Sequence, residues 1–472
     1  MNEDTIAAIS TPLGEGGIGI VRASGKDAVN IVERLFSSSR DERLTEVASH
    51  RLTYGFIKDP LTGTAIDEVL VAVMKAPHTY TKEDVVEINC HGGMLTLRHI
   101  LELVLKHGAR LAEPGEFTKR AFLHGRIDLS QAEAVIDIIR AKTDGSRIIA
   151  LEQLSGGLSE RITSLRDRIL SLCAHVEAYI DFPEDEIEPA SKETLSQGIR
   201  EIQGELSLLS RSFDEGRFFR EGLGVAIVGR PNVGKSSLLN ALLNRDRAIV
   251  TEMPGTTRDV LEEYLNIKGL PVRIMDTAGI RETHEMAERE GVMRSLRALD
   301  GADIVIGLVD GTGPLSDQDR GVLGRIKEKN SIIAINKSDL APDGGGLETC
   351  LKDYSENVLR ISARTGAGLD SLKDMLVHVS MVNSRFLTGT RAASVSHFSE
   401  TNGVLVTNVR HKAAIDHAID ALNRASDILS DQPLEITAIE MRDSLDRLGE
   451  IVGAVTTEDI LDRIFKEFCI GK

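Results

Sequence analysis

The stretch Gly224-Val-Ala-Ile-Val-Gly-Arg-Pro-Asn-Val-Gly-Lys-Ser-Ser-Leu-Leu-Asn-Ala-Leu-Leu243 decides the reading of this chain. It predicts a buried strand, then Gly229-x-x-x-x-Gly234-Lys235-Ser236, then a helix. The glycines let backbone N–H groups close around phosphate oxygens. Lys235 reaches the β- and γ-phosphates, Ser236 supplies a hydroxyl for Mg²⁺, and the helix N-terminus adds partial positive charge. Asn232, Val233 and Ser237 complete the phosphate-facing set.

Four further motifs follow in order, each at or near the end of an expected strand. "PGTTRD" (254–259) offers Thr256 and, for the metal, Thr257 on a switch loop, with Thr251 just before it. "DTAG" (276–279) brings Asp276, Thr277, Ala278 and Gly279 to the metal and γ-phosphate. "NKSD" brings Asn336, Lys337 and Asp339, whose carboxylate accepts from the two guanine donors that adenine lacks. "SAR" places Ser362, Ala363 and Arg364 where backbone meets the guanine O6. Together the five motifs identify a GTP-hydrolysing domain. One position departs from the common pattern: Ile280 stands where many GTPases carry a water-orienting Gln. Glu282, Glu285, Glu288 and Glu290 follow as candidates to replace it, or as a solvated helix face.

Around this domain the texture changes. Residues 1–118 mix short β-type runs with Gly and Pro turns and one amphipathic helix, "MLTLRHILELVLK", which predicts an α+β domain. Residues 119–215 turn helical, with Ser130 or Asp128 capping "DLSQAEAVIDIIRAKT" and the acidic "FPEDEIEPAS" as a loop. Residues 216–384 alternate apolar strands with helices, the pattern of a parallel sheet covered on both faces. Residues 385–472 are helical again, so the α/β unit is inserted into a helical domain built from both flanks. The fold class expected is multidomain α/β. The final "TTEDILDRIFKEFCIGK" predicts a packed helix: Thr456 and Asp459 suggest a capping box, and Ile460, Leu461, Ile464, Phe465 and Phe468 an apolar stripe. Gly471 suits a position near the C-cap, and Cys469 beside the stripe reads as a small buried hydrophobe.

Composition narrows the class. The net charge of −17 and aromatic content of 4% argue against a non-specific nucleic-acid binder, though not against docking through a local basic patch. The four cysteines are scattered, which fits a reducing cytoplasm rather than a disulfide framework. Mean hydropathy is −0.09. No apolar run approaches the ~20 residues of a membrane span.

These motifs, with "AFLHGRIDLSQAEAV" and the terminal "FCIGK", resemble the MnmE (TrmE) family of tRNA-modification GTPases over essentially the whole chain. The resemblance implies an N-terminal domain that dimerises and binds 5-formyltetrahydrofolate through Arg22, Glu87, Arg126 and Lys472. It also implies that two G domains meet around K⁺, held by Asn232, Thr251, Met253 and Thr256, with Glu288 positioning water through an intermediary and Arg258 as a switch residue. The partner implied is MnmG, an FAD-dependent subunit that joins the homodimer in a heterotetramer. Together they would add a carboxymethylaminomethyl or aminomethyl group to carbon 5 of the wobble uridine of certain tRNAs. The resemblance sets Cys469 at the folate pocket, where a nucleophilic role stands beside the packing one.

Overall fold

The computed structural model describes residues 4–181, 192–246, 248, 263–275, 299–341, 346–382, 404–429 and 433–472. They form two compact units: one holds the chain up to Ile136 together with Gly449–Lys472, and the other holds the described residues from Asp137 to Leu448.

In the first unit, strands β1 (Ile6–Ile9), β2 (Gly16–Ser24), β3 (Phe36–Ser38), β4 (Arg51–Lys58), β5 (Ala65–Met74), β6 (Val85–Gly92) and β7 (Arg110–Leu111) form one sheet in the order β3-β4-β5-β6-β2-β1-β7. Every described pairing is antiparallel except β1 with β7. Helices α1 (Ala28–Glu33) and α2 (Met94–Lys106) cover it, and α3 (Glu116–Leu123) follows β7. The α2 span is the one its periodicity predicts: Leu97, Ile100 and Val104 repeat at three- and four-residue spacing and are fully buried. Each such side chain contributes about 1.5–3 kcal/mol of apolar burial.

An ion network ties β1, β7 and α3 together. Arg120, 8% exposed, reaches Asp4 at 2.7 Å, Glu83 at 3.0 Å and Glu116 at 3.1 Å, and Arg110 reaches Asp4 and Glu116 at 2.7 and 2.6 Å. The Arg110 hydrogen bond holds the Asp4 carboxyl below its ordinary range. Burial opposes ionisation of Glu116, but hydrogen bonds from Arg110, the Glu113 N–H and Arg120 outweigh it and lower its pKa too. Both groups are stronger acids folded than unfolded. The stability they add is therefore full above the unfolded values of 3.8 and 4.5 and is lost as pH falls through the lower folded values. Amide exchange at β1 and β7, corrected for its intrinsic rate, is expected to accelerate between pH 5 and pH 3. An unchanged protection factor would contradict this.

In the second unit a run of helices precedes the α/β part: α4 (Leu129–Arg140, which begins in the first unit), α5 (Asp144–Leu154), α6 (Gly157–Asp181) and α7 (Lys192–Glu221). Of the two candidate caps of α4, Asp128 acts: its Oδ1 accepts from Gln131 N, and Gln131 Oε1 accepts from Asp128 N, both at 2.9 Å. Ser130 is fully buried inside the helix. Residues 182–191, expected as a loop, lie outside the described residues. Helix α7 runs unbroken to Glu221, through the expected boundary at 215/216, before the first strand of the next sheet.

That sheet comprises β8 (Leu223–Val228), β9 (Glu263–Ile267), β10 (Leu270–Met275), β11 (Ile304–Asp310), β12 (Ser331–Asn336) and β13 (Asn357–Arg360), ordered β13-β12-β11-β8-β10-β9. Helices α8 (Lys235–Asp246), α9 (Asp317–Ile326), α10 (Leu347–Leu351) and α11 (Leu369–Val382) intervene or follow. The sheet is not wholly parallel, as the sequence had suggested. The edge strand β9 runs antiparallel to β10, joined by a two-residue turn in which Lys268 and Gly269 have φ of 53° and 89°. Two left-handed residues match the twist of a tight hairpin. Helix α5 grips this turn: Thr143, its N-cap, accepts from Ser146 N at 3.2 Å and donates to Gly269 O at 2.6 Å.

Helices α12 (Val409–Ile428) and α13 (Leu434–Val452) follow, α12 lying along α7, and α14 (Glu458–Phe465) belongs to the first unit. The α14 cap is Thr457, without a side-chain capping bond, so the expected Thr456–Asp459 capping box does not form. Thr456 Oγ1 turns instead to Thr457 O at 3.5 Å. Leu461, Phe465 and Phe468 are buried against Leu129, Ala132 and Ile136, with Ile464 and Ile460 partly covered.

Candidate functional site

The nucleotide loops gather at the C-terminal edge of the β8–β11–β12–β13 strands, where a parallel sheet opens its crevice. Val228 closes β8 and Lys235 opens α8, so Gly229–Gly234 span the turn between them. Lys235 Nζ donates to Gly229 O at 2.8 Å and to Arg230 O at 3.0 Å, which folds the lysine over its own loop. Burial lowers its pKa. Asn232 stands exposed at φ 64°, Val233 is fully buried, and Ser236 and Ser237 are exposed in the first turn of α8.

Asn336 is the brace of this site. At 3% exposure its Nδ2 donates to Val233 O at 2.8 Å, while its Oδ1 accepts from Ala363 N at 2.9 Å. One side chain thus joins the phosphate loop to the Ser362–Arg364 loop. Gly234 lies so close, at φ 103°, that a Cβ there would sit 2.3 Å from Asn336 Nδ2. Asp339 Oδ1 accepts from Ser362 Oγ at 2.8 Å, which orients the carboxylate, and Arg364 is exposed.

Two anchoring carboxylates, Asp310 and Asp319, were not read from sequence. Lys337, at φ 64°, donates to Asp310 Oδ2 at 2.7 Å. Burial would raise the Asp310 pKa, but the bonds from Lys337 and Thr312 outweigh it and lower it. Arg230 is held 3.2 Å from Asp319, the residue that closes the capping box of α9. The signal was a carboxylate ending the apolar run "DIVIGLVD", as visible as the motif ends beside it. Of the remaining nucleotide and K⁺ candidates, Thr251, Met253, Thr256, Thr257, Arg258, Asp276, Thr277, Ala278 and Gly279 lie outside the described residues. So do Ile280, Glu282, Glu285, Glu288 and Glu290.

The first unit holds a second constellation. Arg22 on β2 and Glu87 on β6 are cross-strand partners, paired at 2.8 Å, with the guanidinium 5.6 Å from the Phe117 ring centroid. Arg22 Nη1 also donates to Gly471 O at 3.3 Å, and this seats the tail. The seat is backbone-tight: Ile470 bridges Pro114, Gly115 N donates to Cys469 O at 3.4 Å, and Gly471 adopts φ 94° against Ile9. Gly471 is therefore a turn on β1 and not a helix cap. Burial, and then the charge of Arg22, lower the pKa of Lys472. Arg126 stacks on Tyr80 at 4.7 Å, and Tyr80 packs with Phe117 in the small cluster of Ile6, Ala8 and Ala112. Cys469 is exposed, contrary to its reading as a buried hydrophobe, because Leu461, Phe465 and Phe468 are the side chains that turn inward.

Residues 129–469 match the family model described as the MnmE helical domain, and residues 5–126 match the GTP-binding protein TrmE N-terminus. The chain belongs to the MnmE family of tRNA modification GTPases. The tRNA modification GTPase MnmE of Carboxydothermus hydrogenoformans is 47% identical over 474 residues, covering 100% of each chain. That of Alkaliphilus oremlandii is 45% identical over 473 residues, covering 100% of this chain and 99% of its own. The G domain of the T. maritima FeoB iron transporter is 29% identical over 34% of this chain and 98% of its own, with a TM-score of 0.25. As an MnmE family member the chain is a GTPase, with a TrmE-type N-terminal domain and a P-loop α/β domain set within the MnmE helical domain. Among the described residues no helix is long and apolar enough to cross a membrane.

Proposed function

We propose that this GTPase is the nucleotide-driven subunit of a wobble-uridine modification complex, acting in the cytoplasm as a homodimer with the flavin-dependent MnmG. Its division would be an N-terminal folate-binding and dimerisation domain (1–118), helical segments (119–215 and 385–472) and a G domain (216–384). The observation that carries the reading is the convergence of Lys235, Asn336, Asp339 and Ser362 at one sheet edge, in a chain whose tail returns to a separate Arg22–Glu87 pair.

Lys235 and the loop N–H groups cradle the triphosphate, and Asp339 selects guanine, with Ser362, Ala363 and Arg364 beside the base. The exposed Ser236 hydroxyl next to Lys235 is a hard oxygen donor that suits Mg²⁺ alongside phosphate and water, with Thr257 as its second protein ligand. Mg²⁺ would neutralise developing phosphate charge. The exposed amide of Asn232, held out by its left-handed backbone, suits K⁺ together with oxygens at Thr251, Met253 and Thr256. Asp276 would hold Mg²⁺ through water, the Gly279 N–H would meet the γ-phosphate, and Glu288 would position the attacking water indirectly where Ile280 cannot. In the N-terminal unit, a carboxylate beside a guanidinium, with a half-buried ammonium at Lys472, suits the paired donors and the carboxylates of 5-formyltetrahydrofolate. Hydrolysis would drive a conformational cycle, not the carbon chemistry.

Nucleoside mass spectrometry of tRNA from a deletion strain is expected to show loss of the C5 carboxymethylaminomethyl or aminomethyl group from wobble uridine. Unchanged modification would leave a GTPase of another role, such as ribosome assembly. GTP hydrolysis is expected to run roughly tenfold faster in KCl than in NaCl, a barrier difference of about 1.4 kcal/mol. Equal rates would remove K⁺ from the mechanism.

A further inference from the structure

The N-terminal unit carries an open groove of about 390 Å³ that shares Arg126 with the folate set but adds His50, His78 and Lys82, which no reading above uses. That volume falls within the ~300–1,000 Å³ of ordinary ligand sites. His50, His78, Tyr80, Lys82 and Arg126 line it, and among the described residues no carboxylate does. Lys82, held at φ 58°, donates through Nζ to Gly125 O at 2.9 Å, which seats its ammonium beside the neighbouring Arg126. The Arg126 guanidinium carbon lies over the Tyr80 ring, 4.7 Å from its centroid, and this contact holds the side chain at the groove. The acids nearest in sequence are engaged elsewhere. Glu83 accepts from Ser24 at 2.7 Å and Arg120 at 3.0 Å, and Asp84 accepts from Ala76 N at 2.9 Å.

Tyr80 packs in one cluster with Phe117, the ring over which Arg22 lies. Its phenol bonds Thr118 at 2.9 Å, and burial raises its pKa while the charges of Arg126 and of Arg22 both pull it down. Arg126 thus lies over Tyr80 itself, and Arg22 over the Phe117 ring that clusters with it. The ring-binding end has its carboxylate, Glu87. The groove end has the two cationic donors Lys82 and Arg126.

We propose that this groove is a subsite for a string of carboxylates, the γ-linked glutamyl residues that extend a folate whose ring system lies at Arg22 and Glu87. The inference deepens the folate reading and rests on it. Each added glutamyl unit brings one α-carboxylate past Arg126 toward Lys82. Exposed ion pairs give only about 0.2–1 kcal/mol each, so the advantage is cumulative and screened by salt.

Isothermal titration of the full chain with (6S)-5-formyltetrahydrofolate as its monoglutamate and its triglutamate tests this. The triglutamate is expected to bind roughly tenfold tighter at low salt, about 1.4 kcal/mol, with the ratio shrinking at high ionic strength. In Lys82→Asn, which removes the charge and tolerates the left-handed backbone, and in His78→Glu, the ratio is expected to fall toward one. Equal binding of both ligands by the unaltered chain overturns the subsite and leaves the folate reading standing. Binding of neither overturns both. A triglutamate advantage untouched by either substitution places the glutamyl chain elsewhere and overturns the groove.

Discussion

Asn336→Ala is expected to weaken GTP binding by roughly a hundredfold. The side chain is almost wholly buried and makes two bonds, to Val233 O at 2.8 Å and from Ala363 N at 2.9 Å. Alanine leaves a buried carbonyl and a buried N–H unpaired, each at a cost of about 1–3 kcal/mol. A combined loss near 3 kcal/mol corresponds to about two orders of magnitude in affinity. The loss reaches both ends of the nucleotide, because the brace holds the phosphate loop and the base loop to each other. Titration with a fluorescent GTP analogue measures it, and a thermal melt separates lost binding from lost fold. An affinity within threefold of the unaltered chain would show that the two loops hold their places without the brace.

Gly471→Val is expected to abolish tRNA modification while leaving GTP hydrolysis within about twofold of the unaltered chain. At φ 94° any β-branched residue is strained by roughly 1–2 kcal/mol. The larger effect is steric: a Cβ would lie 2.3 Å from Ile9 O, which is backbone and has no rotamer to yield. The tail must lift, and with it go the Ile470–Pro114 bridge, the Arg22 bond to Gly471 O and the place of Lys472. Nucleoside mass spectrometry of tRNA from a strain carrying the variant, beside its GTPase rate, is the measurement. Full modification would mean that the seated tail is dispensable. Cys469→Ser asks a separate question. The thiol is exposed, so a loss of modification there points to chemistry or ligand contact rather than to packing.

The nucleotide site was legible because its parts are local. Gly229 to Ser236 are eight consecutive positions whose turn follows from the glycines and the helix that begins beside them. The helices were legible for the same reason: "MLTLRHILELVLK" predicts α2 to the residue from its apolar spacing. Pairings that cross the chain were not. Nothing near Lys337 says that Asp310 lies 2.7 Å away, and only the β11–β12 register brings them together. The antiparallel β9 escaped because its five residues alternate weakly and its turn is Lys-Gly rather than Asn-Gly. The capping box expected at Thr456 failed by one residue, since the chain enters α14 at Thr457.

By itself, then, the sequence determined the phosphate loop, the alternation of apolar strands with helices around it, and the kind of ligand each motif can hold, because these depend on neighbours within a few residues. Tertiary structure alone decided that Asn336 binds two loops into one site, that Arg22 faces Glu87 across two strands, and that Cys469 turns outward while Phe468 turns in. It also decided that Gly471 is a seat on β1. Each depends on which backbone surfaces meet after folding, and a side chain's partner hundreds of residues away leaves no mark on its own neighbourhood.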